Sequence, residues 1–169
     1  MWNGYMGRVL RVDLTREVTW FEPLPDESVL RNFVGGKGLG LWYLFGSVKE
    51  GISPFDPRNP LIFMTGPLTG LKVPCGNNTT AVSINADTGY TIGASHTHGF
   101  FGPNLKKAGF DGIIITGRAK EPIYLWIHDG EVEIRDAAKF WGKDTHETED
   151  MIKEDVGVEN ASVAAIGPA

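Results

Sequence analysis

A single cysteine, Cys75, stands among 169 residues, so no internal disulfide can form and a stapled secreted scaffold is excluded. No apolar run approaches the length of a membrane span. The opening stretch MWNGYMGRVLRVDL lacks both the charged head and the unbroken apolar segment of a signal peptide, so a reducing, cytoplasmic location is the expectation. Positive charge is also scarce. Sixteen Lys and Arg stand against 21 Asp and Glu, and the net charge of −5 argues against nucleic acid or an anionic membrane as partner. What is present is ordinary for a globular protein: 41% hydrophobic and 22% charged residues, enough to bury a real core in one domain or two small intertwined units.

Glycine is the abundant exception, at 22 residues without a fixed period, which reads as many tight turns. The glycines cluster at loops, and in the stretch from Leu61 to Asp111 apolar runs empty into loops of small polar residues. Leu61–Met64 leads to Gly66-Pro67-Leu68-Thr69-Gly70 and then Pro74-Cys75-Gly76-Asn77-Asn78. Tyr90–Ala94 leads to Ser95-His96-Thr97-His98-Gly99. Such loops let a backbone approach a ligand closely and offer neutral hydrogen-bonding groups, the means of holding a polar, rigid, phosphate-bearing heterocycle.

Elsewhere the pattern predicts a chain that alternates strands and helices. Gly7–Asp13 and Val18–Glu22 read as a hairpin, and Asp26 caps a short helix to Asn32. Leu39–Val48 is apolar nearly all round and reads as a buried helix. Leu61–Met64 and Gly112–Thr116 lack polar alternation and should be central strands. Thr79–Ile84 and Tyr90–Ala94 pair across a turn, Gly99 to Ala108 is helical, and Ile123–Ile127 meets Val132–Arg135 across Asp129-Gly130. Asp144 caps a last helix stopped by Gly157, and Ser162–Ile166 reads as a small apolar strand.

Gly35-Gly36-Lys37-Gly38-Leu39-Gly40 lacks the last glycine of a dinucleotide fingerprint and does not fit a P-loop, so its glycines are read as packing devices. His96 and His98, two apart on an extended segment, share a face. Metal ligation, hydrogen bonding to a phosphate or heterocycle, and plain structural use all remain open, and no third metal ligand is evident. Cys75 reads as a small filler beside the site. Asp87 and Asp111 read as turn and strand-end residues.

Seven pieces in order resemble the N-terminal domain of the tungsten-containing aldehyde ferredoxin oxidoreductase family. They are Gly7–Thr15 (GRVLRVDLT), Gly35–Gly38, Asn59–Ile62, Gly66–Gly70, Gly99–Asp111 (GFFGPNLKKAGFD), Glu133–Ala137 with Trp141–Lys143, and Ala165–Ala169 (AIGPA). The resemblance implies an α+β fold of two intertwined β-sheet repeats with flanking helices. It also implies that 1–169 is a single cofactor-binding domain at the front of a longer chain, so that the stop at Ala169 is a truncation.

By the same resemblance the complete enzyme would oxidise an aldehyde to a carboxylate at tungsten, or molybdenum, held by two pterin dithiolenes. Electrons would pass through a 4Fe–4S cluster, ligated outside these residues, to ferredoxin. The pterin contacts would be Asn77, Asn78, Ser95, His96, Thr97, His98 and Gly99, with no catalytic and no metal-ligating residue in this domain. Asn78 stands where many members have arginine, and His98 where a glycine is usual. Relatives that reduce aromatic thioesters, and a non-catalytic accessory subunit, are the other functions considered. Surface awaiting the remaining domains should leave apolar side chains exposed, and a homo-oligomer is expected.

Overall fold

A computed structural model describes residues 4–168; Ala169, the last residue of the C-terminal motif, lies outside the described residues. The chain opens with β1 (Arg8–Asp13) and β2 (Val18–Pro23), then α1 (Glu27–Phe33) and α2 (Gly36–Ser47). Next come β3 (Leu61–Thr65), β4 (Thr79–Ile84), β5 (Ile92–Thr97), α3 (Phe101–Lys107) and β6 (Gly112–Thr116). The hairpin β7 (Ile123–His128) and β8 (Glu131–Asp136), a 3-10 turn and α4 (Thr145–Val156) complete it.

Six strands form one mixed sheet in the order β2-β1-β6-β3-β4-β5, and β7-β8 stand as a separate pair. The α+β class is as expected. The intertwining lies in β6, which arrives late in the chain yet enters between β1, to which it runs parallel, and β3, to which it is antiparallel. That insertion explains the apolar runs. Ile114 joins Val9, Ile62, Met64 and Val82 on the face covered by α1 and α2, while Ile113 joins Leu10 and Val12 on the face covered by α3 and the β7-β8 hairpin. With both faces covered, the consecutive residues Ile113, Ile114 and Ile115 are all apolar, and each fully buried aliphatic side chain contributes ~1.5–3 kcal/mol.

The glycine motif before α2 packs rather than binds by fingerprint. A Cβ on Gly35 would come within 2.7 Å of the Gly66 Cα, so glycine is what lets the start of α2 touch the Gly66–Gly70 loop. One side of α2 stays open, with Phe45 67% exposed. Asp26 stands at the start of α1, but its side chain makes no capping bond; its carbonyl takes the Val29 and Leu30 N–H groups instead. Asp144 does cap, its carboxylate accepting from the Glu147 N–H at 2.8 Å.

Two expectations fail. β5 is not Tyr90–Ala94 followed by a loop; it runs on through Ser95, His96 and Thr97, because Thr79, Thr80 and Ala81 of β4 supply the ladder. An edge strand tolerates the polar residues that look like a loop. The strand expected over Ser162–Ile166 is absent: these residues have no ladder partner and are tethered through Ser162 Oγ, which accepts from Asn104 Nδ2 at 2.8 Å.

Candidate functional site

The two small-residue loops meet at one end of the sheet. In the β4–β5 ladder Thr79 faces Thr97 and Thr80 faces His96. Asn78 and His98 each lie one residue beyond the last pair.

The Gly66–Gly70 loop is locked to this corner. Thr69, 4% exposed, accepts from the Gly66 N–H at 3.1 Å and donates its hydroxyl to the Asn78 carbonyl at 3.0 Å. The Gly70 N–H donates to Asn77 Oδ1 at 3.1 Å. A Cβ on Gly102, in the first turn of α3, would stand 2.4 Å from Thr79 Oγ1 and 2.9 Å from Thr69 Cγ2. Only glycine lets α3 approach so closely. Gly99, at φ +103°, makes the turn from β5 into α3.

Among the described residues one polar atom of this corner has no partner. Asn78 Oδ1 is buried and makes no hydrogen bond, a costly state for an amide oxygen unless something donates to it. A pterin carries ring N–H and amino donors of the kind this oxygen lacks, so the residues present fit such a group. His96 Nδ1 lies 3.0 Å from Thr80 Oγ1, which leaves Nε2 as the ring's other polar atom.

Strand periodicity divides the predicted set. His96 shares the Thr80 face, towards α2, whereas Ser95 and Thr97 share the Thr79 face, towards α3. Thr97 and His98 line a hollow of about 750 Å³ bounded by Phe63, Phe100, Phe101 and residues 159–165, and Asn77, Asn78, Ser95 and His96 are not among its walls. Among the described residues no three His, Cys, Asp or Glu side chains gather into a metal site. Cys75 is exposed, not a buried filler, because its loop turns outward with the residue at φ +56°.

Sequence reasoning missed the ion pair behind the loop. Lys106, 6% exposed, lies 3.4 Å from Asp111 Oδ1 and donates to the carbonyls of Gly66, at 3.0 Å, and Gly4. Asp111, 1% exposed, accepts from the Met6 and Gly7 N–H groups at 2.8 and 2.7 Å. Burial pushes the Lys106 ammonium below the ordinary lysine range, and Asp111 opposes that shift. The signal available was a Lys-Lys pair closing a helix ahead of Phe110-Asp111; nothing in the pair says which lysine turns inward.

The family model described as Aldehyde ferredoxin oxidoreductase, N-terminal domain, matches residues 9–169. The chain belongs to this family. A tungsten-containing aldehyde ferredoxin oxidoreductase of Pyrococcus abyssi is 45% identical over 166 residues, which is 98% of this chain and 27% of that protein. The aliphatic sulfonate oxidoreductase, WOR-like subunit, of Pyrococcus furiosus is 46% identical over 142 residues, 82% of this chain and 22% of that one. Among solved structures, the active site complex BamBC of Benzoyl Coenzyme A reductase in complex with 1,5 Dienoyl-CoA superposes with a TM-score of 0.95 at 36% identity, covering 99% of this chain and 25% of that chain. The chain thus spans about a quarter of the length of these similar proteins. No described helix is long and apolar enough to cross a membrane.

Proposed function

We propose that this chain is the cofactor-cradling front domain of a tungsten or molybdenum bis-pterin oxidoreductase that oxidises aldehydes to carboxylates with ferredoxin as electron acceptor. The observation that carries the reading is Asn78 Oδ1, a buried acceptor without a partner at the corner where both small-residue loops end. When bound, the metal–pterin group would supply the redox chemistry, with a 4Fe–4S cluster held elsewhere in the protein passing electrons on. The domain's own work is to bind and orient. Asn78 accepts from a pterin donor, and the Asn77 and His96 side chains flank it. Thr97, His98 and Gly99 shape the exit from β5, and Ser95 lies on the opposite face of that strand from His96. With neither a catalytic nor a metal-ligating side chain assigned here, the domain alone is inert. The full-length protein would be a cytoplasmic homo-oligomer.

A second reaction has support of its own. The BamBC complex and the sulfonate oxidoreductase subunit share this fold or sequence while carrying other substrates in their names. Assaying the full-length protein with aldehydes and a viologen dye, and in parallel with an aromatic thioester, separates the two. Aldehyde-dependent dye reduction supports the first reading; turnover of the thioester alone replaces it with the second.

A further inference from the structure

We infer that Lys106 is a positioning residue for the cofactor corner, acting on Asn78 through the Gly66 peptide and Thr69. The inference rests on the cofactor reading above and adds residues to it. Gly66 is gripped through the peptide groups on both of its sides. Its carbonyl accepts from the buried Lys106 ammonium at 3.0 Å, and its N–H donates to Thr69 Oγ1 at 3.1 Å. The same hydroxyl then donates to the Asn78 carbonyl at 3.0 Å, so two intervening groups link the ammonium to the residue with the unpartnered amide oxygen.

The grip is well anchored. Asp111 fixes Lys106 from one side, and the Asp111 carbonyl accepts from the Thr65 N–H at 2.9 Å and its hydroxyl at 2.7 Å, immediately before Gly66. The Gly4 carbonyl takes a further ammonium proton, which brings the N-terminal segment to the same point. The Gly4 and Gly66 carbonyls, distant in sequence, and the nearby Asp111 carboxylate therefore converge on one buried nitrogen. Every contact is directional, so the charge fixes where the loop peptide sits and not merely that the region is packed. Partners behind a binding residue commonly matter at the level of ten- to a hundred-fold in affinity.

The test uses the full-length protein and four variants. T69V keeps the shape of the side chain and removes the hydroxyl; T69S restores it. K106M/D111N removes both buried charges together, so that no lone carboxylate is stranded. V12A weakens the core away from the loop and controls for simple instability. Pterin is measured by fluorescence after release, per folded chain, and hydrogen exchange is followed over residues 66–79. The expected result is about a ten-fold loss of pterin and faster exchange over 66–79 in T69V and K106M/D111N, with T69S and V12A close to wild type. Wild type carrying pterin while T69V and K106M/D111N retain theirs, or a V12A loss as large as theirs, overturns this inference alone. Wild type without pterin overturns the cofactor reading, and this inference with it.

Discussion

Thr80 Oγ1 and His96 Nδ1 lie 3.0 Å apart across the β4–β5 ladder, on the sheet face towards α2. The bond fixes the ring and points attention to Nε2 as the atom available for a ligand. Replacing His96 with alanine in the full-length protein is expected to lower pterin content several-fold and to cost on the order of 1 kcal/mol, because it leaves the buried Thr80 hydroxyl without its partner. Replacing Thr80 with valine should cost less stability, since it leaves only the exposed His96 ring unpaired, with a smaller effect on pterin. Thermal unfolding and pterin release together check both.

Among the described residues two buried polar side-chain atoms make no hydrogen bond, Tyr43 Oη and Asn78 Oδ1, and they are expected to behave oppositely. Tyr43 sits in the core against Arg11, and burial pushes its hydroxyl well above the ordinary tyrosine range. Tyr43→Phe removes an unsatisfied group, so Tm should hold or rise, with pterin content unchanged. Asn78→Leu should also hold or raise Tm, yet abolish most pterin binding. Equal pterin content in the two variants would contradict the distinction.

Among the surface carboxylates held below their ordinary range, Asp155 gives a direct test of acid stability. Asp155 pairs with Lys139, which holds its carboxyl below the ordinary aspartate value of 3.8, helped by the Tyr124 hydroxyl at 2.5 Å. A depressed folded value means that the stabilisation is fully present above the unfolded value and fades as pH falls through the folded one. Asp155→Asn should therefore lower Tm slightly at pH 7, and the two curves should converge as pH drops below about 4. Parallel curves down to acid pH would contradict the assignment.

Much of the fold is legible because local chemistry and global packing agree. The β7-β8 turn is specified by Asp129-Gly130, and both residues adopt positive φ, 45° and 83°. The central placement of β3 and β6 follows from uninterrupted apolar runs, since each strand is covered on both faces. The limits are as instructive. Ser95–Thr97 reads as a loop because composition does not reveal that Thr79–Ala81 will pair with it. Once it is a strand, alternation separates His96 from Ser95 and Thr97, a division that the residue types alone do not show. Lys106 and Lys107 look alike in sequence; only the tertiary arrangement buries the first and leaves the second exposed. Thr69 belongs to a legible motif, but its task of holding Asn78 depends on a loop closing back on it from nine residues further along the chain.

Large apolar side chains remain on the surface, among them Phe55 at 83%, Tyr90 at 86%, Phe100 at 75% and Ile166 at 85% exposure. Phe100 also walls the hollow that holds Thr97 and His98. The chain expressed by itself is expected to self-associate as concentration rises, which light scattering measures directly. A constant monomer mass across the series would show that these side chains do not drive association.

The most direct test is an experimental structure of the cofactor-loaded full-length protein. A pterin donor is expected about 3 Å from Asn78 Oδ1, with His96 on the same side of the corner. A pterin bound elsewhere, with Asn78 Oδ1 satisfied by the protein itself, would contradict this placement.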